Sequence, residues 1–283
     1  MSILDDIIHS RRRRLDEVRA RVPLAGLERA AEDRRDRRDF AAALDRRRPK
    51  RAVGKDHGVA ELTIVAELKA ASPSAGVLKR DYRPGEIARG YESAGAAALS
   101  VLTEEEFFRG SLDHLKQARA AAGVPVLRKD FILDAYQVYE SVAAGADALL
   151  LIVAALADQE LRRLLELADR LRIAALVEVH AEEELDRALA HGARIIGVNN
   201  RNLKTLEVSL DTSLRLRPRI PAGCLIVSES GIRTAADLDR LRDAGFDAAL
   251  IGERFMLAED PGRELAALLE AADRSQKSGV RMG

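Results

Sequence analysis

Acidic and basic residues stand where short apolar runs of this chain end, at positions that could support acid–base catalysis. In TIVAELKAASPS, Glu67 and Lys69 are two residues apart and therefore project from the same face of a strand. Lys129 and Phe131 repeat that spacing in VPVLRKDF. A carboxylate and an ammonium held together in an apolar setting shift each other's pKa values, and such pairs serve as acids and bases near neutral pH.

Three later apolar runs also end in polar residues. Glu178 lies in ALVEVH, Asn199 and Arg201 share a face in VNNRNL, and Glu229 lies in IVSESGI. Because an unpaired buried charge is costly, we expect Glu67 and Glu229 to pair with the two lysines. The spacing therefore predicts one polar site, provided that the fold brings the ends of these runs together.

The apolar runs alternate with amphipathic helical stretches, and this rhythm predicts how the polar residues meet. The runs span 62–68, 97–102, 124–127, 148–153, 174–179, 195–198, 225–227 and 248–251. The helical stretches span 112–122, 135–144, 159–171, 182–190 and 235–244. Eight strand–helix units, with no G-x-G-x-x-G after the first strand, predict an α/β fold, a (β/α)8 TIM barrel rather than an open dinucleotide-binding sheet.

Glycine punctuates this alternation at four places. Gly123, Gly145, Gly192 and Gly245 each lie just after a helical stretch and just before a strand. We expect each to adopt the left-handed conformation that closes a helix. The repeated order of helix, glycine and strand supports a parallel barrel, in which the carboxyl ends of the strands form the active-site face.

Small residues follow the seventh and eighth runs, which is the usual place for a phosphate in such barrels. Ser230 and Gly231 lie in SESGI, and Gly252 and Glu253 lie in LIGERF. Glycine lets backbone N–H groups approach an anion, and the N-terminus of a helix adds its positive end. These residues therefore predict a phosphate site, to which Glu253 contributes its backbone N–H.

Residues 1–60 show helical periodicity and no convincing strand. We predict an N-terminal helical extension of two or three helices, punctuated by Pro23 and Pro49, packed on a barrel of residues 61–283 as one domain overall. The arginine-rich stretches 11–14 and 46–51 are interpreted as solvated helix faces. We expect the extension to cap the barrel and to help close it over a substrate, so that deleting residues 1–40 raises KM more than it harms folding.

Composition excludes several classes of protein. The 46 basic and 46 acidic side chains balance, which gives little reason to expect a nucleic-acid partner. The longest apolar run, 148–157, is far shorter than the roughly 20 residues that span a membrane, and no apolar signal-peptide run begins the chain. A single cysteine, Cys224, allows no disulfide within the chain. We therefore expect a cytoplasmic protein that acts without a membrane or nucleic acid.

The segments that carry these residues strongly resemble the indole-3-glycerol phosphate synthase family. The matching segments are VAELKAASPSAG, LSVLTEEEFFRGS, VPVLRKDFI, DALLLIVAAL, LVEVH, IGVNNRNLKTLEV, VSESGI and LIGERFM, which extend over essentially the whole chain from residue 62. The resemblance implies a carboxy-lyase of tryptophan biosynthesis that needs no metal or organic cofactor. Its substrate would be 1-(2-carboxyphenylamino)-1-deoxyribulose 5-phosphate, which undergoes ring closure, decarboxylation and dehydration to indole-3-glycerol phosphate. Arg254 and Phe255 stand where the family pattern leads us to expect a small residue.

The resemblance also implies catalytic roles. Lys129 would be the general acid that polarises the ribulose carbonyl, and Glu178 would be its partner acid or base in the dehydration. Lys69 would bind the substrate carboxylate or donate a proton to the leaving hydroxyl, and both roles stay open. Glu67 and Asn199 would orient the sugar hydroxyls and the lysines.

Further residues are implied to bind the substrate. Phe108 and Phe131 would pack on the anthranilate ring, and Arg201 would contact a carboxylate or pair with a charge. The other substrate contacts would be Ser72, Leu203 and Glu229, while Ser230, Gly231, Gly252 and Glu253 would hold the phosphate, with Ser230 also close to the chemistry.

Two other functions remain open from the sequence. A phosphoribosylanthranilate isomerase would need an acid–base pair suited to sugar enolisation, with a cysteine or aspartate near strands one and six, where this chain has Glu67, Lys69, Asn199 and Arg201. A binding or scaffold barrel would not need polar residues at five strand ends. We therefore predict a catalyst whose partner is a small phosphorylated molecule, working as a monomer or a weak homo-oligomer.

Overall fold

The computed structural model describes residues 3–46, 62–203 and 205–279. Eight parallel strands form a closed barrel in which strands adjacent in the chain pair with each other and the last strand pairs with the first. They are β1 (Thr63–Leu68), β2 (Ala98–Leu102), β3 (Val126–Lys129), β4 (Ala148–Ile152), β5 (Ala174–Val179), β6 (Ile195–Asn199), β7 (Leu225–Glu229) and β8 (Ala248–Ile251). The predicted (β/α)8 barrel is confirmed, and the predicted strands agree with the observed ones to within two residues at each end.

Helices cover the outside of the barrel and precede it. The N-terminal helices are α1 (Ile3–Arg21), α2 (Leu24–Asp33) and α3 (Phe40–Leu44). The later helices are α4 (Pro84–Ser93), α5 (Leu112–Ala121), α6 (Ala135–Ala143), α7 (Asp158–Arg170), α8 (Glu182–Ala190), α9 (Asp211–Leu216), α10 (Ala235–Asp243), α11 (Glu253–Leu257) and α12 (Pro261–Gly279). The five helical stretches whose bounds were predicted from the sequence are present, and the structure adds the bounds of α4, α9, α11 and α12. In the part of the chain that the structure describes, no helix is long and apolar enough to cross a membrane.

The strands separate two apolar layers because successive side chains alternate between their faces. On β1, Ile64, Ala66 and Leu68 belong to the layer between strands and helices, whereas Val65 belongs to the barrel interior. The interior layer includes residues from all eight strands, and all of them are apolar. Charged side chains join this inward register toward the carboxyl ends, where Glu67 continues the register of Val65.

Helix α3 closes the opposite end of the barrel. Phe40 and Leu44 are fully buried and belong to the same cluster as the first inward residues of the strands. Just before α3, Arg34 forms an ion pair with buried Asp147 at 2.7 Å, and the backbone N–H of Arg38 donates to the same carboxylate at 3.0 Å. The N-terminal segment is therefore part of the barrel's packing.

One expectation about local structure was wrong, and two others lie outside the described residues. Gly145, Gly192 and Gly245 adopt positive φ angles as predicted, but Gly123 does not. Helix α5 instead ends at an extended residue, Ala122, with a φ of −128°, so the following glycine has no left-handed turn to make. Pro49 and the predicted boundary between residues 60 and 61 lie outside the described residues.

The interpretation of residues 11–14 as a solvated face was wrong for Arg11. That side chain is buried, and its guanidinium lies 3.0 Å from the carboxylate of Asp130. Asp130 also accepts hydrogen bonds from the hydroxyl of Thr103 and the guanidinium of Arg128. Helix α1 is thereby tied to the residue that directly follows Lys129.

Candidate active site

A cavity of about 530 Å³ opens at the carboxyl ends of the barrel strands. Fourteen of the fifteen residues predicted for the site line it, namely Glu67, Lys69, Phe108, Lys129, Phe131, Glu178, Asn199, Arg201, Leu203, Glu229, Ser230, Gly231, Gly252 and Glu253. The strand parity that predicted a shared face therefore brings these residues around one space. Ser72 is the exception, since it is not among the lining residues.

Lys129 ends β3 and lies between two carboxylates. Its ammonium is 3.0 Å from Glu178 Oε2 and 2.7 Å from Glu229 Oε2. Burial disfavours the charged lysine, but the negative charges of Glu178 and Glu229 outweigh that effect and raise its pKa. Lys129 is therefore held as a protonated ammonium in this site.

The two carboxylates beside Lys129 are shifted in opposite directions. Burial raises the pKa of both, but the charge of Lys129 and a contact from His180 bring the pKa of Glu178 below its ordinary value. For Glu229, burial and repulsion from Glu178 prevail and raise the pKa to about 7. Two neighbouring carboxyl groups with separated pKa values are the arrangement that gives one site both a base and an acid.

Glycine at β6 makes room for this group. A Cβ on Gly197 would overlap the Oε1 atom of Glu229. That oxygen is buried, and among the described residues it has no hydrogen-bond partner. An unsatisfied buried oxygen of this kind is uncommon, and it favours the protonated form of Glu229 over the carboxylate.

A second ion pair lies at the end of β1. Lys69 Nζ is 2.8 Å from Glu67 Oε1, as the two-residue spacing predicts. The Glu67 carboxylate occupies the space beside the backbone of Gly252, where a Cβ would overlap it. Gly252 was predicted to serve the phosphate, and the structure gives it this additional role of admitting a carboxylate.

The end of β6 turns back through a network of backbone and side-chain contacts. Asn199 Oδ1 accepts a hydrogen bond from the backbone N–H of Arg201 at 3.0 Å. The guanidinium of Arg201 donates to the carbonyl of Leu206 and lies 3.6 Å from the carboxylate of Glu253. Asn199 thereby fixes the turn that aims Arg201 across the cavity.

The segment after β7 is bent sharply where a phosphate was predicted. Ser230 and Gly231 have φ angles of 66° and 77°, and a positive φ is uncommon for a residue other than glycine. Helix α11 begins at Glu253 on the neighbouring strand end, so its first backbone N–H groups also face this region. Strained backbone of this kind concentrates at functional sites.

The bulky pair after Gly252 leaves this corner accessible. The side chain of Phe255 is fully buried in the outer layer against Tyr91. Arg254 lines the rim, and its guanidinium pairs with Glu264 on α12 and donates to the carbonyl of Arg233. Arg254 therefore extends the rim, and Phe255 lies outside the cavity.

Two aromatic rings form the opposite wall. The centroids of Phe108 and Phe131 lie 6.3 Å apart with an interplanar angle of 36°. The loop before Phe108 is held by buried Glu104, whose carboxylate accepts hydrogen bonds from the backbone N–H groups of Phe107 and Phe108. A flat apolar ligand could pack against these partly exposed rings.

Ser72 lies in a small antiparallel hairpin formed by two short strands, Ala71–Ser72 and Gly76–Val77. Its hydroxyl accepts a hydrogen bond from the backbone N–H of Ala75 at 3.2 Å. In the structure, its observed contacts are with its own hairpin, and its assignment to the substrate stays a prediction.

Sequence reasoning missed His180, which directly follows β5. Its Nε2 atom lies 3.3 Å from Glu178 Oε1, and its Nδ1 atom lies 3.0 Å from Glu184 Oε2. The signal was present as a histidine two residues after Glu178 in LVEVH, but the pattern alone does not tell which way the ring points.

The sequence was compared with known proteins. A sequence model described as "Indole-3-glycerol phosphate synthase" matches residues 4–268. A protein of that name from Polaromonas naphthalenivorans is 52% identical over 266 residues, covering 94% of this chain and 98% of its own. Another from Chromobacterium violaceum is 48% identical, covering 95% of this chain and 98% of its own. The chain belongs to the indole-3-glycerol phosphate synthase family.

More distant solved structures support the fold alone. A 3-hexulose-6-phosphate synthase from Salmonella typhimurium superposes with a TM-score of 0.59 at 12% identity, covering 75% of this chain and 99% of its own. A mandelate oxidase mutant gives a TM-score of 0.58 at 18% identity, covering 90% and 92% of the two chains. The family and the barrel predicted from the sequence are therefore both confirmed.

Proposed function

We propose that the cavity converts 1-(2-carboxyphenylamino)-1-deoxyribulose 5-phosphate to indole-3-glycerol phosphate, with Lys129 as the general acid. The observation that carries this assignment is the position of the Lys129 ammonium, at the cavity and within 3.0 Å of two carboxylates. It is held ionised by its neighbours and is aimed into the space that a ligand would occupy. The membership of the family supplies the substrate.

Ring closure needs an acid at the ribulose carbonyl. The ring carbon that carries the carboxylate attacks the carbonyl carbon, and negative charge develops on the carbonyl oxygen. Lys129 gives a proton to this oxygen as the new bond forms, and a positioned cation stabilises that charge most in a site with little water. Loss of carbon dioxide then returns its bonding electrons to the six-membered ring.

Dehydration needs an acid at the new hydroxyl and a base at the carbon next to the nitrogen. Glu178 is ionised because its pKa is lowered, so it serves as the base that removes the carbon-bound proton. The hydroxyl leaves as water once it has gained a proton. Glu229, with a pKa of about 7, is suited to exchange protons with Lys129 between these steps.

The remaining lining residues position the substrate. Phe108 and Phe131 flank the anthranilate ring, and Arg201 faces its carboxylate. The phosphate lies at the bend of Ser230 and Gly231, opposite the first turn of α11. Binding both ends of the substrate holds the two reacting carbons close together, which by itself lowers the barrier to ring closure.

Lys69 either protonates the leaving hydroxyl or binds the substrate carboxylate. One variant distinguishes these two roles. If Lys69 binds the carboxylate, Lys69→Ala raises KM more than it lowers kcat. If it protonates the leaving hydroxyl, kcat falls and a dehydration-blocked intermediate accumulates. Single-turnover mass spectrometry distinguishes these outcomes.

The experiment that tests the function follows indole fluorescence after the purified chain meets the carboxyphenylamino-ribulose phosphate. We expect turnover by the native chain and a loss of at least about 100-fold in kcat for Lys129→Ala. Lys116→Ala is the matched control, since that lysine is exposed on α5 and its only ion pair among the described residues is with Asp113. Appearance of an isomerised sugar without an indole would identify an isomerase, and an unchanged rate in Lys129→Ala would remove this lysine from the mechanism.

We also propose a single-domain, cytoplasmic protein that works as a monomer or a weak homo-oligomer and binds no nucleic acid. The burial of Phe40 and Leu44 within the barrel supports one folding unit. Ion pairs from Arg11 to Asp130 and from Arg14 to Glu105 engage part of the basic charge of α1 and leave less of it for a polyanion. Sedimentation velocity tests the assembly state, and fractionation of the native cells tests the location.

A further inference from the structure

We propose that His180 is a positioning residue, which together with Glu184 keeps Glu178 oriented and ionised while Lys129 is engaged with the substrate. The inference rests on the proposed function, because it concerns the carboxylate that acts there as a base. His180 is not among the residues that line the cavity, so it acts through Glu178 and not on the substrate itself.

The local fold brings three side chains into a row. Glu178 lies near the end of β5, His180 directly follows the strand, and Glu184 lies in the first turn of α8. Glu184 Oε2 accepts a hydrogen bond from the backbone N–H of His180 at 2.8 Å and lies 3.0 Å from its Nδ1 atom. One carboxylate oxygen therefore fixes both the backbone and the ring of His180.

The second ring nitrogen faces Glu178. The Nε2 atom of His180 lies 3.3 Å from Glu178 Oε1. A neutral imidazole has one N–H, so one of its two nitrogens would present a lone pair to a carboxylate. Among the described residues Nε2 makes no hydrogen bond, so its contact with Glu178 is electrostatic, and the imidazolium is the form whose charge attracts both Glu178 and Glu184. Burial lowers the pKa of His180, but the nearby charges of these two carboxylates and the hydrogen-bond contact with Glu184 outweigh it and raise the pKa to about 10.

The two oxygens of Glu178 thus face two different cations. Oε2 lies 3.0 Å from Lys129, and Oε1 lies beside His180. Lys129 is shared with Glu229 and is the cation that gives up a proton to the carbonyl oxygen. When it does so, Glu178 would be left as a buried carboxylate without a cation, which favours its protonation. The imidazolium remains in place and keeps the carboxylate available as a base.

The charge balance supports this role. Lys129, Glu178 and Glu229 in their ionised forms carry a net charge of −1, and the imidazolium brings the group to zero. Glu184 adds a negative charge at the edge, where its side chain is 21% exposed and partly solvated. Among the described residues, the charged groups that face the ring are Glu178 from β5 and Glu184 from α8, with Lys129 from β3 beyond Glu178.

Three variants test the proposal by the dependence of kcat on pH. For His180→Ala we expect kcat at pH 7.5 to fall about 10-fold while KM stays within about twofold, because substrate contacts are unchanged. The acidic limb of the kcat profile should also move to higher pH by about one unit, because loss of the imidazolium makes the carboxylates easier to protonate. His180→Asn keeps a hydrogen-bond donor, so its kcat should be higher than that of His180→Ala. The acidic limb of its profile should stay at the higher pH, because asparagine carries no charge.

Glu184→Gln provides a second test that leaves the imidazole in the protein. It preserves the shape of the contact but removes a negative charge, so it should lower kcat by about twofold to fivefold. His191→Ala is the matched control, since that histidine directly follows α8 and its ring lies 3.8 Å from the exposed carboxylate of Asp158, outside the row of Glu178, His180 and Glu184. Thermal unfolding confirms that each variant is folded before its profile is compared.

The outcomes separate this inference from the proposed function. If native protein and Lys129→Ala behave as proposed but both His180 variants retain the native kcat and profile, the positioning role is wrong. If kcat falls without a shift of the acidic limb, His180 has only a structural role and the inference fails. Absence of any indole product from the native chain would instead overturn the proposed function.

Discussion

Glu229 reaches the ammonium of Lys129 with one carboxylate oxygen, 2.7 Å away, and leaves its other oxygen buried without a partner among the described residues. The carboxylate thus stays only half satisfied even though it contacts a cation. Burial and the neighbouring charge of Glu178 raise its pKa to about 7. A buried carboxyl group with a pKa shifted this far is typical of sites where protons are transferred.

Replacing Glu229 by glutamine should therefore impair activity and improve stability. The folded pKa is higher than the unfolded one, so the protonated form favours folding. That contribution is complete below the ordinary glutamate pKa of 4.5 and is lost as the pH rises through about 7. Relative to the native chain, Glu229→Gln should gain stability between pH 5 and pH 8 while its kcat at pH 8 falls by about 100-fold or more.

Urea unfolding at both pH values measures this gain, and indole fluorescence measures kcat. Glu166→Gln is the control, because that exposed glutamate lies on the outer helix α7 away from the cavity. A stability difference that does not grow with pH would show that Glu229 is not the strained acid inferred here.

Gly252 should be needed for catalysis as well as for the phosphate. A Cβ at this position would overlap the Glu67 carboxylate, which must then shift away from Lys69. Because small displacements of positioned groups can cost about 100-fold in rate, Gly252→Ala should lower kcat by about that factor.

Gly223→Ala is the matched control, since a Cβ there would meet nothing within 4 Å. Steady-state kinetics of both variants decides the matter. If Gly252→Ala raises KM and leaves kcat unchanged, the glycine serves only the phosphate, and its role in admitting Glu67 is disproved.

The register of the strands could be predicted because it depends on local spacing. Glu67, Lys129, Glu178 and Glu229 each continue an inward-facing series of apolar residues, so parity alone places them at the mouth of the barrel. The pairing of Lys129 with Glu229 followed from the cost of an unpaired buried charge. Which of the two carboxylates is the stronger acid could not be predicted, because it depends on burial and on the unshared oxygen of Glu229.

Other features depended on tertiary contacts that a pattern does not contain. Arg11 lies in a run of arginines, and helical periodicity does not tell which member turns inward toward Asp130. The His180 ring is held by Glu184, which the first turn of α8 places beside it, and the sequence pattern does not show this contact. Gly123 follows a helix that ends in an extended residue, so its position between a helix and a strand wrongly predicted a left-handed conformation.

Phe40 is the residue whose loss should reveal most clearly what the N-terminal segment does. The sequence predicts that deleting residues 1–40 affects KM more than folding, but Phe40 is 1% exposed and packs in the interior layer with Val65, Leu127 and Ala148. Truncating a buried phenylalanine removes its contacts and leaves a cavity, so Phe40→Ala should lower the free energy of unfolding by about 3–5 kcal/mol.

Val22→Ala is the control, because Val22 is 41% exposed between α1 and α2 and its truncation should change stability by less than about 0.5 kcal/mol. Urea unfolding of both variants measures the difference. The kcat of folded Phe40→Ala should stay close to the native value, because Phe40 lies at the end of the barrel opposite Lys129. A native free energy of unfolding combined with a raised KM would instead mean that the segment acts on the substrate and that α3 adds little to the core.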